Sequence, residues 1–450
     1  MTGAPQWQDV VAARGLDAAI ADYRRDNPGS ARYRETAADV LPGGGTRSSY
    51  HFAPFPLVLA CGSGDRVSDV DGRTRLDLNA NFGVSVHGHG FAPIVEAVRA
   101  QSERGFCFAA PNPLEAELAR RICERVPSIE LLRFTSSGTE AVMAALSVAR
   151  AFTGRRRVAK LHGGYHGSSD FGTANGPGSA PDLGSNSARA AAVPADILPL
   201  SVDEPDRLVA SLREAADDLA AVVVEPVQGA AGLIQVPPEL LARIRAVTQE
   251  LGILLIFDEV MMFRMHRGGV QSMLGLRPDL TVLGKLIGGG LPVGAFGGRA
   301  DIMGLFDPFR EGAIRLAGTY NGNPMTMAAG IACLDALEEA DFTRMDHLAQ
   351  ALAGAGNAVL ARRAVPASIV AAGGFFCLHA LPRPARSHAQ LLQQDQALHR
   401  LLHLGLINEG VLVTPTGMGV VSTRTGPAEV DEFAAALERV LARYLRPAQA

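Results

Sequence analysis

One lysine stands out for the residues around it. In the stretch Asp279 to Gly298, DLTVLGKLIGGGLPVGAFGG, an apolar run ends at Gly284, Lys285 follows, and a glycine-rich segment leads to a second apolar run, Leu291 to Phe296. A lysine at the end of a short buried strand lacks the solvated neighbours that keep an ammonium charged. Its pKa falls, and the neutral amine becomes a nucleophile toward an aldehyde. The glycines beside it let backbone or a flat ligand approach closely. A Gly-Lys pair taken alone is more often a solvated loop, so the weight rests on four other stretches.

Asp258 ends the apolar strand LLIFDEV. A carboxylate at that depth needs a partner, and either backbone amides or a protonated ring nitrogen would serve. Val260, two residues on, points to the same side if the chain stays extended, where it would press against a flat ring. Ser136-Ser137-Gly138-Thr139 lies between a strand and a helix. Hydroxyls there are usually caps, but the open amides and the helix dipole also favour a phosphate dianion. Gly163-Gly164-Tyr165-His166-Gly167 sets an aromatic among glycines after another strand, and Gly318-Thr319-Tyr320-Asn321-Gly322-Asn323-Pro324 is a polar loop opening a helix. Together they describe one ligand: an aldehyde for Lys285, a pyridinium for Asp258, a phosphate for the Ser137 to Thr139 turn, and a flat ring between Tyr165 and Val260. Pyridoxal phosphate satisfies every part.

These residues must be carried by elements that converge. From Asn112 the punctuation is regular: Asn112 caps, Pro113 suits a first helical turn, and Leu114, Leu118 and Ile122 share one face. Strands are expected at Leu131 to Phe134, Arg157 to Leu161, Ala220 to Val224, Ile253 to Phe257 and Thr281 to Leu283, with helices such as Ala141 to Phe152 and Pro238 to Glu250 between them. That alternation predicts an α/β fold with a mostly parallel central sheet flanked by helices, which presents ligands at the carboxyl ends of its strands. Asp71-Gly72, between two alternating runs, predicts an antiparallel hairpin over Asp65 to Leu78.

At 450 residues the chain needs more than one packed region, and 47% apolar with 20% charged residues reads as globular and soluble. A net charge of −4 without single-sign runs argues against nucleic acid or an anionic membrane surface, and the longest apolar runs are strand-sized. MTGAPQWQDV lacks the pattern of a secretory signal. Five scattered cysteines without CxxC spacing predict reduced thiols in a cytoplasmic protein and no metal site.

The segments SSGTEA, GGYHG, EPVQG, LLIFDEV, LGKLIGGGLPVGAFGG and GTYNGNP, in this order, closely resemble the class III aminotransferases of the fold-type-I pyridoxal phosphate enzymes. PGGGTRSSYHFAPFPL followed by VSDVDGRTRLDLN resembles the branch of glutamate semialdehyde aminomutase and the β-amino-acid aminotransferases. The resemblance implies Lys285 as the Schiff-base lysine and Asp258 as the ring-nitrogen partner. It implies Ser137, Gly138 and Thr139 around the phosphate, Thr319 reaching it from the other subunit of a homodimer, and Tyr165, His166 and Val260 against the ring. It divides the chain into an N-terminal arm and small-domain segment (1–78), a large cofactor-binding domain (79–324) and a C-terminal small domain (325–450), the two ends forming a smaller α+β domain.

The implied activity is transfer of an amino group from an amino donor, a β-amino acid among the candidates, to a keto acid or other carbonyl acceptor. The alternative is a semialdehyde-type aminomutase or a specialised carbonyl-aminating enzyme. Arg47, in the PGGGTR loop, matches an arginine that grips substrate carboxylate in the β-amino-acid branch, and Glu225 of EPVQG either pairs with Arg47 or faces the substrate amine. Two departures matter: Thr414-Pro415-Thr416-Gly417-Met418 carries no cation where those enzymes place a second arginine, and Met261-Met262 stands where a more polar pair is common.

Overall fold

A computed structural model describes residues 6–173 and 196–445. It divides the chain into two compact units, Ala92–Phe342, and Met1–Phe91 with Thr343–Ala450. The cuts fall later than the 78/79 and 324/325 boundaries read from sequence. The helix Pro324–Asp335 packs on Ala92–Ser102, on Pro113–Arg125 and on the turn after Lys285, so it belongs to the larger unit. Residues 79–91 stay with the smaller one, where the Thr423 amide donates to the Val86 carbonyl.

The larger unit is built on seven strands: β1 (Leu131–Thr135), β2 (Arg157–Leu161), β3 (Ile197–Leu200), β4 (Leu219–Val224), β5 (Leu254–Asp258), β6 (Leu280–Gly284) and β7 (Gly294–Gly298). They lie in the order β1-β7-β6-β5-β4-β2-β3. All pairings from β6 through β5, β4 and β2 to β3 are parallel, while β7 runs antiparallel to both β6 and β1. Strands β1, β6, β5, β4 and β2 therefore point the same way and release their following loops at one edge. β4, β5 and β6 are buried at every position, as a sheet covered on both faces requires.

The cover on one face is the helix Gly138–Thr153, whose Ala141, Val142, Ala145, Leu146, Val148 and Ala149 pack with Val158, Val223, Ile256 and Val282. Its small residues let the helix lie close to the sheet, and each fully buried Leu or Val contributes about 1.5–3 kcal/mol. Ser137 caps it and Gly154, in the left-handed conformation, ends it. On the other face Pro238–Leu251 buries Leu240, Leu241, Ile244 and Val247 against Val222, Val224, Leu255 and Phe257.

The smaller unit joins the two ends of the chain: Val411–Leu412 pairs in parallel with Thr74–Asp77, extending the sheet that holds the hairpin Arg66–Asp69 and Thr74–Asp77. Gly72, at φ 81°, makes its turn. A second sheet combines Ser368–Ala372, Phe375–His379 and Met418–Val420.

Candidate active site

The sheet direction brings the residues singled out in the sequence to one edge. β5 ends on Asp258 and β6 on Gly284, one residue before Lys285, and Asp258 lies opposite Val282 in the parallel register. The carboxylate and the lysine thus leave neighbouring strands at the same edge. Glu225 follows β4, Tyr165 and His166 follow β2, and the Ser136 to Thr139 turn follows β1. Five separate loops converge because five strands share a direction.

Lys285 adopts φ 48°, a left-handed backbone uncommon for a residue with a side chain. Burial lowers its affinity for a proton, and the nearby charges of Asp258 and Glu225 raise it again. Desolvation therefore pulls the amine toward its nucleophilic form, against the charge of Asp258 and Glu225 nearby. Glu225 is buried, and burial followed by repulsion from Asp258 pushes it up to about 8, against the pull of the Tyr165 amide, Lys285 and the Gly229 amide. The Tyr165 N–H donates to Glu225 Oε2 at 2.9 Å.

Asp258 is 4% exposed. Its Oδ1 accepts from the Val260 amide at 3.1 Å and its Oδ2 lies 2.8 Å from His166 Nδ1. His166 is buried, and desolvation lowers its pKa although Asp258 opposes this. Its Nε2 has no hydrogen-bond partner among the described residues. A buried N–H there would be unsatisfied, so the neutral ring with its proton on Nδ1 is the favoured form, and it donates to Asp258. Backbone and imidazole together satisfy only part of the carboxylate, which has capacity left for another N–H.

The chain does not stay extended after Asp258. It turns, with the Val260 amide on the Asp258 carboxylate, and Val260 comes to rest between the Ser136 to Thr139 turn and the strand before Lys285. A Cβ at Gly138 would lie 3.0 Å from Val260 Cγ1, and one at Gly284 would lie 3.2 Å from it. Those glycines are needed for Val260 as much as for any ligand. Tyr165 is 46% exposed at the same edge.

At the Ser136 to Thr139 turn, the amides of Gly138 and Thr139 belong to a helical first turn and have no intrahelical acceptor. Ser137 Oγ accepts from the Glu140 amide at 3.2 Å and Thr139 Oγ1 from the Ser168 amide at 3.2 Å. Each hydroxyl keeps its own hydrogen to donate. Gly167, at φ 90°, makes the close approach to Thr139 possible, since a Cβ there would fall 2.5 Å from Oγ1. The 318–324 loop meets this turn through Ser136 Oγ and Asn321 Oδ1, 3.4 Å apart, while Thr319 is exposed.

Glu259, not singled out in the sequence, is the anchor behind Asp258. It is buried and accepts from the Val270 amide (2.6 Å), the Gln271 amide (3.1 Å) and Gln271 Nε2 (2.9 Å). The paired glycines Gly268-Gly269 are its only signal in the sequence: a Cβ at Gly269 would strike its carboxylate.

Arg47 lies in the smaller unit, exposed, and donates to Asn81 Oδ1 at 2.5 Å. In that unit the Thr414–Met418 turn closes on itself, Thr414 Oγ1 accepting from the Met418 amide at 3.1 Å. Among the described residues no group of His, Cys, Asp and Glu is arranged to hold a metal ion, and no helix is long and apolar enough to cross a membrane.

A family model described as aminotransferase class-III matches residues 48–440. The β-phenylalanine transaminase of Variovorax paradoxus is 40% identical over 428 residues, covering 94% of this chain and 95% of that protein. A glutamate-1-semialdehyde 2,1-aminomutase of Geobacillus kaustophilus is 36% identical over 91% of this chain and 97% of its own length. The crystal structure of an omega-transaminase from Sphaerobacter thermophilus superposes with a TM-score of 0.87 at 39% identity, covering 94% of this chain and 99% of that one.

Proposed function

This chain belongs to the class-III aminotransferases and is a pyridoxal-phosphate-dependent aminotransferase; on that premise we propose that it takes the amino group of a β-amino acid through Lys285 and delivers it to a keto acid. One observation carries the assignment of residues: Asp258 and Lys285 leave adjacent parallel strands at one edge, with a helix N-terminus opening beside them. The donor set suits the cofactor, since it supplies an amine of lowered basicity, a buried carboxylate with spare acceptor capacity and a cluster of amide and hydroxyl donors.

When bound, pyridoxal phosphate supplies an electron sink for the substrate carbon that loses its proton. Asp258 would accept from the ring nitrogen and favour its protonated form. The Gly138 and Thr139 amides, with the Ser137 and Thr139 hydroxyls, would hold the phosphate, and Tyr165 and Val260 would bound the ring faces. Lys285 would hold the cofactor's aldehyde carbon through Nζ, and its free amine would move the substrate proton as general base and then acid. Glu225, protonated near neutral pH, offers a hydrogen-bond donor beside Lys285.

The β-amino acid is supported by the identity to a β-phenylalanine transaminase and by Arg47 as carboxylate partner. The apolar pair Met261-Met262, directly after Val260, favours an apolar substrate side chain; Met261 Sδ itself packs over Gly229, leaving no room for a Cβ there. We assign the enzyme to the cytoplasm as a homodimer in which Thr319 of a second copy completes the phosphate site. Aminomutase action is the second reading, favoured by the 36% identity to an aminomutase.

Borohydride reduction of the holoenzyme followed by peptide mapping tests the lysine, and a label away from residue 285 overturns it. Incubation with β-amino acids alone, with pyridoxamine phosphate formation followed by absorbance, tests the reaction. A net half-reaction supports the transaminase. Its absence, with isomerisation of an amino aldehyde, establishes the mutase.

A further inference from the structure

Behind the site lies a second lysine that the transfer chemistry does not use. Lys160 occupies β2, is 1% exposed, and sits among apolar strand residues. Its Nζ donates to the carbonyls of Gly172 (3.0 Å) and Phe171 (3.4 Å) and lies 5.5 Å from the centre of the Phe171 ring. That ring stacks on His166, with centroids 5.9 Å apart and planes at 26°. His166 in turn meets Asp258. A continuous series of contacts therefore runs from the Lys160 ammonium to the carboxylate assigned to the cofactor ring.

We propose that Lys160 is a positioning residue that acts through His166, tying the 166–172 arm to β2 and holding a positive charge behind the imidazole so that Asp258 keeps its full negative charge for the cofactor. The inference rests on the reading of Asp258 as ring-nitrogen partner. Burying an ammonium in an apolar strand is costly, and the contacts that Lys160 makes there with the Phe171 and Gly172 carbonyls and the Phe171 ring fasten it to the 166–172 arm. The arm it secures is tightly folded: a Cβ at Gly172 would fall 2.2 Å from the Gly167 carbonyl oxygen. Electrostatically, the charges acting on His166 come from two strands, Asp258 on β5 favouring its protonation and Lys160 on β2 opposing it. Without Lys160, His166 gains a proton more readily. The resulting imidazolium neutralises Asp258 and weakens its hold on the pyridine N–H.

The test compares Lys160→Met, Lys160→Arg and His166→Asn with the wild type. Pyridoxal phosphate affinity of each apoenzyme is measured at about pH 8 and about pH 6, with the absorbance of the bound cofactor followed between them. In Lys160→Met the loss of affinity on acidification grows by about tenfold and the spectral transition moves up by about one pH unit. Lys160→Arg, which keeps the charge, follows the wild type, and in His166→Asn that transition disappears. Unchanged pH dependence in Lys160→Met overturns the proposal, as does Lys160→Arg behaving like Lys160→Met. Should Lys160→Met not fold, persistence of the transition in His166→Asn is decisive against it. A wild-type apoenzyme that takes up no pyridoxal phosphate would sink the functional assignment itself, a result separate from all of these.

Discussion

His166 Nδ1 stands 2.8 Å from Asp258 Oδ2, both side chains buried, the one in the loop after β2 and the other at the end of β5. The imidazole orients the carboxylate and donates to one of its oxygens, and the Val260 amide occupies the other. Asp258→Asn keeps the shape but presents a neutral group to the ring nitrogen. We expect kcat to fall about 10²–10³-fold, the scale for loss of one preorganised electrostatic contact, with a modest change in KM. Steady-state kinetics together with the cofactor spectrum check this.

On the proposed assignment, Lys285→Ala removes both the covalent anchor and the proton carrier. Turnover should drop by at least about a thousandfold. Cofactor should still bind through the phosphate turn, but without the label that borohydride leaves in the wild type. Mass spectrometry of the reduced protein reads the difference.

Gly138→Ala places a methyl 3.0 Å and 3.1 Å from the two γ-carbons of Val260. The helix start or Val260 must shift, and pyridoxal phosphate affinity should weaken by about tenfold, a cost of about 1.4 kcal/mol. Because the clash is with one side chain, adding Val260→Ala should recover part of the loss. A double-mutant cycle on apoenzyme titrations measures that coupling.

Arg47→Ala should raise KM for carboxylated donors by about tenfold or more, the scale of one charge-assisted hydrogen bond, with kcat and cofactor affinity close to wild type. Donors lacking a carboxylate should be unaffected. Equal KM values for both donor types in the variant and wild type would remove Arg47 from substrate binding.

His403 supplies a pH dependence unrelated to catalysis. It is buried against Phe52, ring centroids 4.8 Å apart, and burial, with His399 nearby, lowers its pKa from 6.5 to about 3. Above pH 6.5 the ring is neutral whether the chain is folded or not, so its contribution to stability is fully present. Below that, the unfolded chain takes up a proton that the folded chain refuses, and stability is lost as pH falls toward about 3. The slope approaches about 1.4 kcal/mol per pH unit for this one proton. His403→Phe should flatten the decline in melting temperature between about pH 6 and pH 5, read by scanning calorimetry.

Much of the larger unit was readable along the chain. The strand Arg157–Leu161 has the limits its apolar run predicts, and β4, β5 and β6 differ by a residue at their ends. Local pattern suffices there because a parallel strand buried on both faces must be a short continuous apolar run. β7 was not legible: GAFGG carries little strand propensity, and it is a strand because β6 and β1 pair with it on either side. The two compact units divide at other positions than the sequence reading for a related reason, since the packing of Pro324–Asp335 depends on helices about 200 residues earlier in the chain.

The amino-acid sequence by itself determined which chemistry is possible: an amine after an apolar strand, an acid ending another, and hydroxyls and glycines at a helix start, because those are properties of residue type and immediate neighbours. Only the tertiary structure decided what each group faces. His166 meets Asp258 across 92 positions, Val260 seats against Gly138 and Gly284, and Lys160 reaches the arm behind the imidazole. Those relations arise from strand order and direction, which bring distant loops to one edge, and desolvation there sets the proton affinities that no local pattern can state.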